Sequence, residues 1–229
     1  MLHKTKGIVL SFIPYRETSV ICKIYTEKFG VQSYIENGVR TARGKNKIAL
    51  FQPLTLLDLV VYHDQKKDLH RISEIKCTAP LKSLPFEVRK STISIFLNEV
   101  LSKTLKEQTE NEALFFFLYQ SIVTLDEMNS GIENFHLIFL TKYSNYLGFA
   151  PQDAIEVEKQ FKEFGVTIPV EMETKKYLNL LLKADFTDTL GMGKVFRNHL
   201  LDVLLTFYRL HQEEFGELKS LPVLREIMS

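Results

Sequence analysis

Tryptophan is absent from this chain of 229 residues, and cysteine occurs only twice, at Cys22 and Cys77. Both cysteines lie in strand-like apolar runs, so they are expected to be buried reduced thiols and not part of a disulfide framework. The sequence also lacks C-x-x-C and H-x-x-x-H pairs, and its six histidines are scattered. These absences exclude the usual zinc-ligand patterns, so no metal or other cofactor is expected.

Long apolar runs are missing as well. The N-terminal segment Met1–Gly7 has no apolar core of the kind found in signal peptides. No uninterrupted stretch reaches the roughly 20 apolar residues that a membrane-spanning helix needs. A cytoplasmic protein without a membrane partner is therefore predicted.

The common catalytic motifs are also absent. The sequence contains no G-x-S-x-G, no Walker A motif and no G-x-G-x-x-G. The segment Gly191–Lys194 has the composition of a phosphate loop but lacks the preceding strand, and a turn leading into a helix is the better interpretation. A binding protein and not an enzyme is predicted, with a disguised nuclease or transferase site kept as a rival hypothesis.

Charge is what this sequence does have, and it is unevenly placed. The net charge is only +1, yet residues 1–50 hold nine Lys or Arg against three acids, a net +6, which leaves −5 for the remainder. The densest part is Asn37–Lys47, with four cations, two glycines and no acid. It lies between two strand-like segments, so it is predicted to be a basic loop available to phosphates.

Two halves of different secondary structure are predicted. Residues 1–80 contain no helix long enough for a βαβ crossover, and a turn ending in glycine is predicted at Glu27–Gly30. Five strand-like runs fill this part of the chain, which favours a small antiparallel barrel: Ile8–Phe12, Val20–Thr26, Val31–Ile35, Leu50–Tyr62 and Leu69–Cys77. A five-stranded OB-fold barrel fits this count, and an SH3-like barrel fits it almost as well. Residues 81–229 carry apolar positions at helical spacing, so the fold class is α+β, with an all-helical C-terminal domain.

The helical half contains one segment that is hard to interpret. An apolar run, Leu114–Leu125, is typical of the centre of a helical bundle. Further helices are predicted near Phe135–Leu147, Val195–Leu210 and Leu221–Met228. Residues 152–192, which lie between the first and second of these further helices, are rich in acids. A short strand is predicted there at Val166–Val170 and a helical segment at Tyr177–Lys183.

Several short segments resemble the bacterial recombination mediator family RecO, in the same order and spacing across nearly the whole chain. These segments are Gly7–Leu10, Tyr15–Ser19, Tyr25–Gly30, Gly38–Arg40, Leu50–Leu54, Leu57–Leu59, Tyr146–Pro151 and Leu218–Leu224. The family architecture, an N-terminal OB barrel followed by a helical domain, agrees with the division reached from the residues alone.

The resemblance implies a role in RecFOR-type DNA repair and a nucleoid-associated location. It implies binding of single- and double-stranded DNA, annealing of complementary strands and association with RecR. It also implies contact with the C-terminal tail of single-stranded-DNA-binding protein, through which RecA is helped to replace that protein. A general RNA- or tRNA-binding OB-fold protein remains the alternative.

One departure from the family pattern concerns zinc. Many relatives carry a four-cysteine zinc module after the segment that corresponds to Tyr146–Pro151. Here residues 152–192 replace that module and contain neither Cys nor His. This chain is therefore predicted to be a variant without zinc at that place.

The charge pattern and the resemblance together lead to two sets of candidate binding residues. DNA is predicted to meet the barrel at the loop cations, with further cations as extensions and one tyrosine either as a stacking platform or as a core residue. The partner tail is predicted to meet cations that flank the C-terminal helices. The DNA set is Arg40, Arg43, Lys45, Lys47, Arg16, Lys23, Lys28 and Tyr34, and the tail set is Lys194, Arg197, Lys219 and Arg225.

Overall fold

A computed structural model of the chain describes residues 1–41 and 47–228. Five strands close into a barrel in the order β1-β2-β3-β5-β4. All neighbours pair antiparallel except β3 and β5, which run parallel. The predicted N-terminal OB-fold barrel followed by helices is confirmed. The strands are β1 Leu2–Tyr15, β2 Ser19–Thr26, β3 Gly30–Glu36, β4 Leu56–Tyr62 and β5 Leu69–Cys77.

Strand β1 is longer than the apolar run predicted it to be. Its first half pairs with β4, where Leu2 lies opposite Tyr62, and its second half pairs with β2, where Tyr15 lies opposite Ser19. An irregularity between Val9 and Ser11 bends the strand as it passes from one partner to the other. The polar N-terminal residues are extended because β4 supplies their backbone hydrogen-bond partners. This pairing with a distant strand cannot be recognised from the local sequence.

The barrel interior is filled by apolar side chains from every strand. Val9, Cys22 and Ile24 are fully buried there together with Tyr34 and Phe51. Phe51 belongs to a 3-10 helix, Ile48–Phe51, so the long strand predicted from Leu50 to Tyr62 instead begins at Leu56. Leu54 has a φ of 62°, and this left-handed residue turns the chain between the two elements.

Seven helices follow the barrel within the described residues. They are α1 Val88–Thr104, α2 Glu112–Glu127, α3 Phe135–Tyr146, α4 Ala154–Glu163, α5 Met172–Lys183, α6 Lys194–His211 and α7 Leu221–Ile227. None of the helices in this part of the chain is long and apolar enough to cross a membrane.

The chain forms two compact units, and the first contains more than the barrel. It comprises Met1–Phe86 and Leu97–Asp126, and the second comprises Glu87–Phe96 and the chain from Glu127 onward. Helix α2 packs on the barrel in the first unit, where the Phe115 ring lies 6.0 Å from that of Tyr25. The expectation that this apolar helix occupies the centre of a bundle is wrong, because the helix has an open side on which Phe116 is 64% exposed. The division into domains 1–80 and 81–229 stays a prediction.

The linker after β5 is held by a single carboxylate. Asp126 at the end of α2 accepts hydrogen bonds from the backbone N–H groups of Lys82, Ser83 and Leu84, at 2.9, 2.8 and 2.7 Å. These bonds lower the pKa of the Asp126 carboxyl against the opposing effect of burial. The linker is therefore tied back onto the first unit.

Residues 152–192 fold without cysteine or histidine ligands. Asp153 caps α4 by accepting from the N–H groups of Ile155 and Glu156 at 2.8 and 2.9 Å. Glu158 of α4 forms an ion pair with Lys175 of α5 at 2.6 Å. Buried side chains from both helices, Val157, Phe161, Leu178 and Leu181, complete the packing. The strand predicted at 166–170 does not form, and extended coil connects the two helices.

A buried histidine in α3 makes the second unit sensitive to acid. Burial, reinforced by the positive charge of Arg197, lowers the pKa of His136 to about 3. Folded His136 therefore stays neutral while the unfolded chain takes up a proton below pH 6.5. This histidine alone should lower the free energy of unfolding by about 1.4 kcal/mol per pH unit between pH 6 and 3.

Chemical denaturation of the wild type and His136→Leu at a series of pH values tests this expectation. The variant should lose stability less steeply with acidification. His199→Leu, on α6, is the matched control and should keep the wild-type slope. Parallel slopes for all three proteins would contradict the assignment.

Candidate nucleic-acid interface

The first turn of the barrel and the loop after β3 are joined by three hydrogen bonds. The Arg40 backbone N–H donates to the Thr18 carbonyl oxygen at 3.0 Å, and its Nη1 donates to the Arg16 carbonyl oxygen at 3.1 Å. The Ser19 hydroxyl donates to Asn37 Oδ1 at 2.8 Å. Two arginines separated by 24 positions in the chain therefore lie side by side at one end of the barrel.

Both arginine side chains are exposed. Within the described residues, neither guanidinium of Arg16 and Arg40 forms an ion pair with an acid. The Arg16 guanidinium lies 5.2 Å from the centre of the Tyr15 ring, within cation–π distance. The charge of this pair is thus available to an external anion.

Two further cations lie beside a carboxylate at the same end. Lys47 Nζ is 3.4 Å from Glu36 Oε1, with the Glu36 side chain 13% exposed. Arg71 of β5 is in register with Ile35, the residue before Glu36, and is exposed. Burial raises the pKa of the Glu36 carboxyl, while the charges of Lys47 and Arg71 act in the opposite direction. We call the four cations Arg16, Arg40, Lys47 and Arg71 the basic rim.

Arg71 is the member of the basic rim that the sequence did not point to. Its strand was predicted from alternation, but the residue itself was not among the candidates. Its position beside the loop depends on the parallel pairing of β3 with β5, which joins segments more than thirty residues apart. Strand pairing at this range has no local sequence signal.

An outward-facing surface of the barrel adjoins the basic rim. Four residues form one row across β1, β2, β3 and β5: Ile13, Ile21, Ile35 and Arg71. Ile13 is 59% exposed, and the two other isoleucines are half-buried. The next row is Ser11, Lys23, Ser33 and Leu69, in which Lys23 is exposed. Lys23 therefore lies on the same outer face as the isoleucine row, and its role in DNA binding stays a prediction.

Tyr34 takes the second of its two predicted roles. Its side chain is fully buried in the barrel core, opposite Cys22 on β2. It has no ring face open to a nucleic-acid base, so its assignment to the DNA-binding set is corrected. Tyr15, which shares the outer face with Ile13 and is half-buried, is the tyrosine next to the basic rim.

Lys28 lies away from the basic rim. Strand β2 runs from Ser19 beside the rim to Thr26, a span of about 23 Å at roughly 3.3 Å per residue, and Lys28 follows its far end. There it lines a groove of about 500 Å³ with three other lysines and three acids. We call the four lysines, Lys4, Lys6, Lys28 and Lys76, the far-groove lysines. The alternation of Lys6, Asp58 and Lys76 across neighbouring strands accounts for this mixed surface as a charge ladder.

Arg43 and Lys45, which belong to the predicted DNA set, lie outside the described residues. Their role stays a prediction. They occupy the chain between Thr41 and Lys47, both of which are at the rim end of the barrel.

The four candidates for the partner tail divide into two groups. Arg197 donates to the carbonyl oxygens of Met192 and Met228 at 2.7 and 3.2 Å, and Arg225 forms an ion pair with Asp202. These contacts tie α6 to the C-terminal segment, so both arginines have a structural task. Lys194 and Lys219 are exposed.

Comparison with known proteins identifies the family. The model described as recombination protein O N terminal matches residues 1–81, and the model described as recombination protein O C terminal matches residues 85–222. A protein named DNA repair protein RecO from Flavobacterium psychrophilum is 38% identical over 99% of both chains. Proteins of the same name from Phocaeicola vulgatus and Bacteroides fragilis are 36% and 34% identical, over 100% and 99% of both chains.

The order of the family-like segments, the closed five-stranded barrel and these matches over the full length agree. The resemblance predicted from the sequence is confirmed. The chain belongs to the recombination protein O (RecO) family.

Proposed function

We propose that this chain is a DNA-binding recombination mediator in RecFOR-type DNA repair, and that single-stranded DNA binds along the basic rim. The observation that carries the proposal is the junction of Arg40 with the Arg16 turn, which brings two exposed arginines, without an ion pair to any described acid, beside the open outer face of an OB barrel. OB folds bind oligonucleotides on the face of their second and third strands and on the adjoining loops.

The physical basis is neutralisation of phosphates and release of their counterions. Each phosphate that a rim cation contacts adds to the salt dependence of the affinity, by a slope of roughly 0.7 on single strands. The isoleucine row offers an apolar floor for bases, and Tyr15 a ring beside it. The contacts of the cations with phosphates hold the DNA backbone and do not recognise base sequence. The same rim is proposed to bind double-stranded DNA through phosphates alone.

The helical unit is proposed to bind protein partners. Lys194 and Lys219 are exposed, and so are the apolar side chains of Val195 and Val223, at 83% and 51%. This combination suits the acidic, Phe-ended tail of single-stranded-DNA-binding protein. Binding of RecR, and indirect help to RecA in displacing that protein, complete the proposed role.

Annealing of complementary strands coated with single-stranded-DNA-binding protein tests the proposal. Addition of the chain should accelerate duplex formation, measured by a fluorescence-quenching pair, and deletion of the coating protein's C-terminal tail should abolish the acceleration. No effect on either coated or bare strands would refute the mediator role. Preferential retention of RNA in a competition titration would favour the RNA-binding alternative.

A further inference from the structure

Glu36 is an acid inside the basic rim. Its carboxylate is 3.4 Å from Lys47 Nζ, and its side chain is only 13% exposed. The charge of Arg71 on β5 also acts on this carboxyl, and the parallel register places Arg71 beside Ile35, the residue before Glu36. On β2, its strand partner is Val20, and the nearby titratable group is the buried thiol of Cys22, whose pKa the Glu36 charge helps to raise to about 12. The thiol is therefore neutral, and the charges facing Glu36 from neighbouring elements are cationic.

A carboxylate in this position pairs with the same cations that a DNA phosphate would contact. It accepts the Lys47 ammonium and offsets part of the field of Arg71, so it competes with any phosphate that approaches the same cations. An arriving phosphate meets both the competition and the repulsion of a like charge. The repulsion disappears if the carboxylate takes up a proton.

We propose that Glu36 is a proton-linked competitor for the basic rim, so that phosphate binding there is accompanied by a fractional uptake of protons at Glu36. The inference rests on the proposed DNA-binding function. The proton comes from solvent and converts the carboxylate into a neutral carboxylic acid, and no other bond is made or broken. Affinity for DNA therefore rises as the pH falls.

The direction follows from the environment of the group. In the free protein, burial raises the pKa of Glu36, and the charges of Lys47 and Arg71 limit that rise. A bound phosphate neutralises those cations and adds a negative charge nearby, while burial persists. Both changes favour the protonated form, so the pKa of Glu36 is higher in the complex than in the free protein.

The test is a titration of a fluorescent single-stranded oligonucleotide at fixed ionic strength from pH 8 to pH 5, with three proteins. Glu36→Gln keeps the shape and removes the charge, and we expect it to bind about five-fold more tightly than the wild type at pH 7.5. The difference in DNA affinity between Glu36→Gln and the wild type should become smaller towards pH 5. Glu27→Gln removes the same charge at the far end of β2 and should follow the wild type.

The outcomes separate the inference from the function on which it rests. If the wild type and Glu36→Gln bind with parallel pH profiles, or if Glu36→Gln binds more weakly, the inference is overturned while DNA binding stands. An equal gain in DNA affinity for Glu27→Gln would mean that the effect follows net charge alone, and this outcome would also overturn the inference. If the wild type binds no DNA at any pH, the proposed function fails and the inference with it. Circular dichroism at each pH establishes that all three proteins are folded.

Discussion

Removal of the four cations of the basic rim is expected to weaken binding of single-stranded DNA by about 100-fold at low ionic strength. The affinity falls because each lost cation leaves one phosphate with its counterions. For four contacts, the slope of log affinity against log salt should become shallower by about 2.8. Fluorescence anisotropy at four or five salt concentrations measures both quantities. The variant carries alanine at Arg16, Arg40, Lys47 and Arg71.

The far-groove lysines provide the matched control. Their replacement with alanine removes the same four positive charges from the same barrel, but from a surface in which three acids alternate with the lysines. We expect less than a five-fold loss and a slope within about 0.7 of the wild-type value. Equal losses in the two variants would mean that binding follows net charge, and the rim would lose its place as the DNA site.

Replacement of Gly30 with alanine is expected to destabilise the first unit by about 3 kcal/mol or more, because two costs add. Gly30 has a φ of 60°, where a side chain is strained. A Cβ there would also lie 2.7 and 2.8 Å from the backbone oxygen and nitrogen of Thr109, and closer still to the Glu107 carbonyl oxygen. That oxygen accepts the Val31 N–H at 2.9 Å, so the segment between α1 and α2 cannot move away without losing the bond.

Gly38→Ala separates the two costs. Gly38 has a comparable φ of 71°, and nothing lies within 4 Å of a Cβ added to it. It should cost only the conformational part, about 1 kcal/mol. Thermal and urea unfolding followed by circular dichroism compare the two variants with the wild type. Equal destabilisation would show that the close approach of the α1–α2 connection to the barrel contributes nothing.

Most of the barrel was predictable because its information is local. Strands β2, β3 and β5 were predicted close to their observed bounds from alternation and from β-branched residues, and the turn at Gly30 was recognised from its glycine. Strand β1 and the start of β4 were misjudged because their extent depends on pairing. Leu2–Gly7 lacks the apolar run from which a strand was predicted, and Leu50–Phe51 is apolar enough to be taken for strand.

The candidate site shows the same division. A basic loop after β3 could be recognised from composition alone, and Lys47 and Arg40 were found in this way. Arg16 entered only as an extension, and Arg40 is held beside it by the backbone carbonyl oxygens of Arg16 and Thr18, contacts that no motif records. Tyr34 is placed by strand parity, since Gln32 and Tyr34 face inward while Ser33 and Ile35 face outward. Alternation in the sequence separates the residues of a strand into two faces. Which of the two faces points into the barrel is known only from the structure.

The sequence by itself determined the class of protein: an OB-fold barrel followed by helices, a charge surplus at the N-terminus and membership of the RecO family. Composition, alternation and motif order are properties of neighbouring residues, so they survive without a structure. The tertiary structure decided which cations share a surface. Arg16, Arg40, Lys47 and Arg71 converge because the barrel closes, with β3 parallel to β5 and the first turn bonded to the loop. The same closure places Glu36 among them, and pairing between distant segments is the physical reason that no stretch of sequence could reveal it.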